Sequence, residues 1–260
     1  MTVWIYECGR NSFGLADKAV QHTAEMKRKF ARQIAESTER TVIYDEHFSL
    51  PVNETGMPDV IVEDLDSVSA VTKYSTQGVT TVLNFADYKY PGGLFLEGGC
   101  TQEECLCHAS FLFNVLVRFK EYYGWNAQHS NQELYTNRAL FTPDIIFQQD
   151  GNSFKCNVLT CAAPNRYLSE CVYGTGQKKN TEELFSRIKF VLDIAAANRT
   201  EFLILGAFGC GAFGQEAAEV ADIFCQLLQG AYSCFRKVVF AVPAQIDFGN
   251  WETFYYAFCK

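Results

Sequence analysis

Charge is scarce in this chain: only 20% of its 260 residues are charged. That excludes intrinsic disorder, which needs many charges and few apolar side chains. Long apolar runs are also missing, and no stretch reaches the roughly 18 to 20 residues that cross a bilayer. The opening residues MTVWIYECGRNSF have neither the basic start nor the long apolar core of an export signal. The expectation is a cytoplasmic protein with no membrane partner. Metal-ligand spacing is lacking too. There is no Cys-x-x-Cys, and His22, His47, His108 and His129 are scattered, so no metal and no cofactor is expected. The 11 cysteines form an odd set in a long chain, which reads as reduced thiols rather than a disulfide framework.

Positive charge is the other shortage. Lys and Arg number 22 against 30 Asp and Glu, for a net charge of -8. The densest basic patch, Lys27-Arg28-Lys29 with Arg32, is flanked by acids and reads as a solvated helix face. Direct sequence-specific nucleic-acid binding is therefore not expected. An anionic ligand would have to be held locally, by backbone N–H groups and a few side chains.

Apolar material is plentiful: 48% of residues are hydrophobic, including 22 Phe and 13 Tyr. Such a chain fills the core of one large domain. An apolar stripe predicts a helix over residues 16–37. Thr41–Tyr44 and Val60–Val62 are short β-prone runs. Thr80–Phe85 (TTVLNF) has the continuous, β-branched pattern of a buried strand, followed by a Gly-rich loop over 91–99. Leu106, Ala109, Phe113 and Leu116 then mark one face of a helix at steps of three and four. The segment 116–150, rich in aromatics, Asn and Gln, gives no clear reading.

Asn157–Ala163 is the next strand. Thr181 caps a helix running to about Asn198, with Glu182 and Glu183 in its first turn. Glu201–Phe208 is a third strand, with a second Gly-rich loop over 209–214. A helix from about Glu216 to Leu228 and a strand over Lys237–Val242 complete the series. This alternation predicts an α/β fold, with helices covering a mixed, largely parallel sheet. Ligands of such sheets sit beyond the carboxyl ends of the strands.

The informative stretch runs from Asn84 to Glu104. It places Asn84 at a strand end, Gly92, Gly93, Gly98 and Gly99 in a loop, and adjacent carboxylates at Glu103 and Glu104. Glycines let backbone N–H groups approach a phosphate closely. Adjacent carboxylates repel, and burial raises a carboxyl pKa, so such a pair suits a general acid. Cleavage of a glycosidic bond needs that acid at the leaving oxygen. The same spacing is also a capping box, with Thr101 as N-cap and Glu104 at the third helical position. From the residues alone both readings stand.

The stretch resembles the signature of the poly(ADP-ribose) glycohydrolases, a Gly-Gly-Gly followed a short way on by Gln-Glu-Glu. Here Gly92-Gly93-Leu94 is followed, after seven residues, by Gln102-Glu103-Glu104. The bacterial-type branch is the closer likeness, because Asn84-Phe85-Ala86 precedes the Pro-Gly-Gly loop. Further pieces match in order: Ile34-Ala-Glu-Ser-Thr38, Thr160-Cys-Ala-Ala-Pro-Asn165, Leu205-Gly-Ala-Phe-Gly-Cys-Gly-Ala-Phe-Gly214 and Lys237-Val-Val-Phe-Ala-Val242.

The resemblance implies a three-layer α/β/α macrodomain, a single domain over residues 1–260 with residues 1–60 as a helical N-terminal extension packed on it. It also implies ADP-ribose or poly(ADP-ribose) as ligand, ADP-ribosylated macromolecules as substrates, and hydrolysis of their glycosidic links. Glu104 would be the catalytic acid, and Glu103 would hold the ribose hydroxyls beside the scissile bond. Asn84 would bind the distal ribose. Gly92, Gly93, Gly209, Cys210, Gly211 and Ala212 would lie along the diphosphate, and Phe213 would press the terminal ribose toward Glu104. Gln102 belongs to the same substrate-binding set.

Leu94 departs from the pattern, standing where the family has its third glycine. A side chain there narrows the loop, so specificity limited to mono-ADP-ribosyl conjugates, or binding without cleavage, are the alternatives it raises. Tyr88, Tyr90 and Phe95 are candidates for stacking on adenine, or else loop-packing residues. Cys100, Cys105 and Cys107 read as small apolar fillers.

Overall fold

The structure is a computed structural model that describes residues 12–50, 56–245 and 249–259. Residues 1–11 of the opening stretch lie outside the described residues, as does a short piece of the expected extension, 51–55. Helices α1 (Ser12–Lys29) and α2 (Ala31–Arg40) lead into strands β1 (Val42–Tyr44) and β2 (Asp59–Glu63). Helix α3 (Ser67–Tyr74) and strand β3 (Thr80–Phe85) follow, then a short 3-10 turn at Phe95–Glu97. Next come α4 (Gln102–Ala109), α5 (Leu112–Leu116), α6 (Lys120–Gln128) and the hairpin of β4 (Ala139–Gln149) and β5 (Asn152–Cys161). Helices α7 (Arg166–Tyr173) and α8 (Gln177–Ala197), strand β6 (Phe202–Leu205), helix α9 (Ala217–Leu228), strand β7 (Lys237–Ala241) and helix α10 (Asn250–Phe258) complete the order.

The strands form one sheet in the order β1-β4-β5-β3-β6-β7-β2. From β5 to β2 every neighbouring pair is parallel, while β4 runs antiparallel to both β5 and β1. Successive strand residues point to opposite faces, and both faces are covered. Val82, Val158, Ile204 and Val239 pack with α1 to α6. Leu83, Leu159, Leu203 and Val238 pack with α8 to α10. This is the mixed, largely parallel sheet that the alternation of elements predicted, in the three layers that the resemblance implied. The N-terminal region packs on the domain: α1 and α2 cover one face, and β1 pairs with β4 at the sheet edge, Val42 opposite Phe141.

Several local expectations are corrected. The stripe over 16–37 is two helices, not one, meeting at Phe30. The single helix expected through Leu116 breaks at Ser110, whose extended backbone forms a bridge with Phe147. Thr181 is not a cap. Helix α8 starts at Gln177 with Gly176 as its N-cap, and the Thr181 hydroxyl donates back to the Gln177 carbonyl at 3.1 Å. The unread segment holds α6 and all of β4. A register shift between Thr142 and Ile145, with Asp144 at φ 60°, interrupts the alternation that would have revealed that strand.

β3 and β6 are neighbours and parallel, so the two Gly-rich loops leave the same edge of the sheet side by side. The loop after β5 is pinned beside them by buried polar groups. Arg187, fully buried in α8, donates to the Ala162 carbonyl and, at 2.7 Å, to Asn137 Oδ1. Asn180 and Gln215 exchange two amide hydrogen bonds of 2.9 and 2.8 Å, and Gln215 Nε2 also donates to the Pro164 carbonyl.

Candidate active site

Between the two glycine loops lies a cleft of about 300 Å³. One wall runs from Asp87 through Gly93 and Leu94 to the first turn of α4, and the other is the loop from Ala207 to Phe213. The lining carries three carboxyls, Asp87, Glu103 and Glu104, and no Lys, Arg or His. An anion in this cleft therefore has only backbone N–H groups to meet. They are present: no acceptor among the described residues takes the N–H groups of Gly211, Ala212 and Phe213. Successive unpaired N–H groups form an anion-binding concavity.

The carboxyl pair is held mainly by the end of β3 and the loop that follows it rather than by its own helix. Glu103 is buried, its Oε1 accepting from Asn84 Nδ2 at 3.0 Å and its Oε2 from the Asp87 N–H at 2.7 Å. Burial pushes its carboxyl from 4.5 up to about 8, the two hydrogen bonds oppose that rise, and Glu104 and Asp87 add to it. Glu104 Oε1 accepts from the Leu94 N–H at 2.9 Å, and its Oε2 accepts from the Thr101 hydroxyl. Thr101 stands at the N-cap of α4, yet its side chain bonds Glu104 and no backbone N–H of the helix. The capping box is not closed. The carboxylate it would have used faces the glycine loop instead.

Gly93 makes this possible. Its φ is +57°, a left-handed conformation that costs most residues energy, and an added Cβ would lie 2.5 Å from Glu104 Oε1 and 3.1 Å from Glu103 Oε2. Gly209, on the other wall, is at φ +79°, and an added Cβ there would lie 2.8 Å from Ala163 Cβ.

The structure brings Glu103, Glu104, Gln102, Gly93, Gly209, Gly211, Ala212 and Phe213 to the cleft. Asn84, Gly92 and Cys210 do not line it. Asn84 is fully buried behind Glu103, where its amide positions that carboxyl and also donates to Thr160 Oγ1. Gln102 reaches the cleft, but its polar atoms are spent on the fold: Oε1 accepts from the Phe85 N–H, and Nε2 donates to the Leu83 carbonyl and Ser67 Oγ. Phe213 leans edge-on against Tyr135, with ring centroids 6.0 Å apart.

Leu94 has φ -95°, an unstrained backbone for leucine, and its side chain stands 58% exposed at the mouth. The turn is closed by Gly99, whose N–H donates to the Leu94 carbonyl at 2.8 Å. Of the proposed adenine-stacking residues, Tyr88 and Phe95 are buried and unavailable, Tyr88 being stacked on Tyr135. Tyr90 is exposed and away from the cleft. Cys107 is an apolar core residue, while Cys100 and Cys105 are half-buried.

Asp87 was missed. Its Oδ1 accepts from the Lys89 and Tyr90 N–H groups at 2.7 and 2.8 Å, and burial raises its carboxyl. An Asp opening a turn before a Pro-Gly pair was the available signal. Among the described residues no group of three or more His, Cys, Asp or Glu is arranged to hold a metal, and no helix is long and apolar enough to cross a membrane.

The family model described as "Microbial-type PARG, catalytic domain" matches residues 15–150, just over half of the chain. Poly(ADP-ribose) glycohydrolase (PARG) from Thermomonospora curvata has a similar structure, with TM-score 0.82 and 23% identity over 94% of this chain and 99% of that one. The same enzyme bound to the inhibitor ADP-HPD superposes with TM-score 0.81, at 23% identity over 94% and 98%. At that identity the likeness speaks for the fold. The PARG from Deinococcus radiodurans in complex with ADP-ribose is 27% identical, with TM-score 0.77 over 87% of this chain and 97% of that one. A comparison with curated proteins found no match.

The raised Glu103 carboxyl makes stability depend on pH with a definite sign. Below pH 4.5 folded and unfolded chains both hold the proton, and between 4.5 and about 8 only the folded chain keeps it. The stabilisation is therefore complete at low pH and is lost as pH rises to about 8, at up to about 1.4 kcal/mol per pH unit. The Glu103→Gln variant lacks this proton. Thermal unfolding of variant and parent side by side should show the difference moving in the variant's favour from pH 5 to pH 8. A difference constant across that range would mean that Glu103 is already ionised in the folded protein.

Proposed function

This chain belongs to the microbial-type PARG catalytic-domain family, and from that premise we propose that it releases ADP-ribose from poly(ADP-ribose) and ADP-ribosylated macromolecules with Glu104 as general acid. The observation that carries the reading is the pair of buried carboxyls, Glu103 and Glu104, facing an anion-binding loop across one cleft. The diphosphate of the terminal unit lies along the N–H groups of Gly211, Ala212 and Phe213, since no side-chain cation lines the cleft. Phe213 then presses the distal ribose toward the carboxyls.

Glu103 receives the ribose hydroxyls. Its proton, retained toward pH 8, lowers the negative charge that the diphosphate must approach. Glu104, fixed by the Leu94 N–H and the Thr101 hydroxyl, gives a proton to the leaving oxygen as the bond to the anomeric carbon breaks. A water held beside the distal ribose and phosphate attacks that carbon, and its proton passes to the carboxylate that Glu104 has become. We further read the three-layer fold as a macrodomain forming one domain, because the described N-terminal elements share its sheet and core.

Glu104→Gln tests the acid directly. The amide oxygen keeps the Leu94 N–H, and the amide nitrogen faces a Thr101 hydroxyl that turns to accept. Shape and binding are preserved while the proton is lost. Release of ADP-ribose from poly(ADP-ribose) should fall roughly 10²- to 10⁴-fold, with ADP-ribose affinity kept within a few-fold. Activity near the parent's would leave Glu104 a structural contact.

Leu94 is the second test. Its unstrained backbone and exposed side chain support a loop that admits polymer despite the missing third glycine. In Leu94→Gly the ratio of rates on polymer and on mono-ADP-ribosylated protein should stay within about twofold of the parent's. A rise in that ratio of an order of magnitude would show that the leucine excludes polymer.

A further inference from the structure

The segment 130–136, between α6 and β4, has a backbone that L residues rarely adopt. Asn131, Gln132, Glu133 and Tyr135 have φ of 47°, 56°, 64° and 64°, and none is glycine. Such strain persists only where the surroundings over-determine it, and it gathers at functional sites. Here the cleft is what surrounds it. Ala139, the first residue of β4, pairs with Cys161, the last of β5, so the segment lies at the sheet edge that carries the cleft. The Asn165 N–H donates to the Glu133 carbonyl at 2.9 Å, and the Tyr135 N–H donates to the Ser130 carbonyl, also at 2.9 Å.

This segment touches both walls of the cleft. Toward the first wall, Lys89 Nζ donates to both carboxyl oxygens of Glu133, at 2.7 and 2.9 Å, and the Tyr135 hydroxyl donates to Glu133 Oε2 at 3.2 Å. The Lys89 N–H in turn donates to Asp87 Oδ1, and the Asp87 N–H donates to Glu103 Oε2, both at 2.7 Å. Toward the second wall, Phe213 packs against a small cluster of Tyr88, Tyr135 and Ala162. Its ring meets Tyr135 edge-on, and Tyr88 lies flat on Tyr135 with centroids 4.1 Å apart and planes 13° from parallel. Tyr135 is buried and does not line the cleft, so its ring supports Phe213 and leaves the ligand to it.

We propose that Tyr135 is a positioning residue: the Lys89–Glu133 ion pair sets it against Phe213 and so fixes that ring relative to the Glu103 and Glu104 carboxyls. The inference rests on the function proposed above and adds to it what holds Phe213 to its task. Gln215 anchors the loop of Phe213 through its backbone neighbours, but that anchor leaves the ring free to rock. Edge-on contact with a buried ring that is itself stacked removes the freedom. Lys89 belongs to the loop whose Asp87 N–H holds Glu103, so the strut ties the ring and the carboxyl to one frame. The ion pair suits this use because both oxygens of Glu133 are engaged and its side chain is only 12% exposed.

Release of ADP-ribose from poly(ADP-ribose) and binding of free ADP-ribose, measured on the same folded variants, separate positioning from contact. Tyr135→Leu removes the ring on a backbone no more strained for leucine than for tyrosine. Its kcat should fall about 10²-fold, with the Kd for ADP-ribose within a few-fold of the parent's. Lys89→Met and Tyr135→Phe each cut one link of the strut and leave the ring. Each should lower kcat about three- to tenfold, and the double variant should fall no further than the larger single loss. An unchanged kcat in Tyr135→Leu would overturn the proposal. So would a rise in Kd as large as the fall in kcat, which would make Tyr135 part of the ligand's own contact surface. Losses that multiply in the double variant would also overturn it, because Lys89 and Tyr135 would then act apart. Should Tyr135→Leu fail to fold, the other three variants decide, and a parental kcat in all of them would overturn the proposal. A parent that neither binds ADP-ribose nor releases it from polymer would instead refute the proposed function, so the two failures are separable.

Discussion

Taking a carboxyl out of water costs several kcal/mol unless hydrogen bonds or a retained proton offset the loss. This protein does it twice in succession, at Glu103 and Glu104, and the rest of the site follows from how the cost is met. Glu103 takes N–H donors from Asn84 and Asp87, and Glu104 takes one from Leu94 and a hydroxyl from Thr101. Three of those four donors belong to the end of β3 and the loop that follows it. The loop must therefore fold back over the first turn of α4, which it does only because position 93 carries no side chain.

The same constraint explains the opposite wall. With three carboxyls on the first wall and no cation in the lining, a diphosphate is accepted only if the second loop presents its backbone. Gly209 supplies the left-handed turn, after which Gly211, Ala212 and Phe213 leave their N–H groups unpaired. A loop with unsatisfied donors needs rigid support, and the Asn180–Gln215 amide pair provides it, with Arg187 holding the neighbouring strand end. These groups are buried, and Asn180 and Arg187 reach the loops from a separate helix, so the site is fixed before a ligand arrives.

The residues made some of this legible and hid the rest for physical reasons. TTVLNF announced β3 because a strand buried on both faces has no polar alternation to obscure it, and the Gly-rich loops marked the ends of β3 and β6. Strand β4 stayed hidden because a bulge near Asp144 breaks its period. Thr181 misled because a hydroxyl that bonds back four residues inside a helix looks the same in sequence as a cap. Glu103 and Glu104 were identifiable as a pair. That Glu103 holds its proton to about pH 8 depends on burial by residues far along the chain, which spacing does not encode. Asn84 and Gly92 belong to the right motif yet stand behind the wall, because a motif fixes neighbourhood and not which atoms face the ligand.

The empty space at Gly93 is thus the hinge of the account, and Gly93→Ala tests it most directly. The methyl group would meet Glu104 Oε1 at 2.5 Å, on a backbone at φ +57°, and displace the carboxyl from the Leu94 N–H. Turnover of poly(ADP-ribose), measured as ADP-ribose released by the folded variant, should fall by about 10²-fold or more, as misplacement of a catalytic group by an ångström does. A folded Gly93→Ala protein that turns over polymer at the parental rate would contradict the claim that this glycine sets the carboxyls proposed for catalysis.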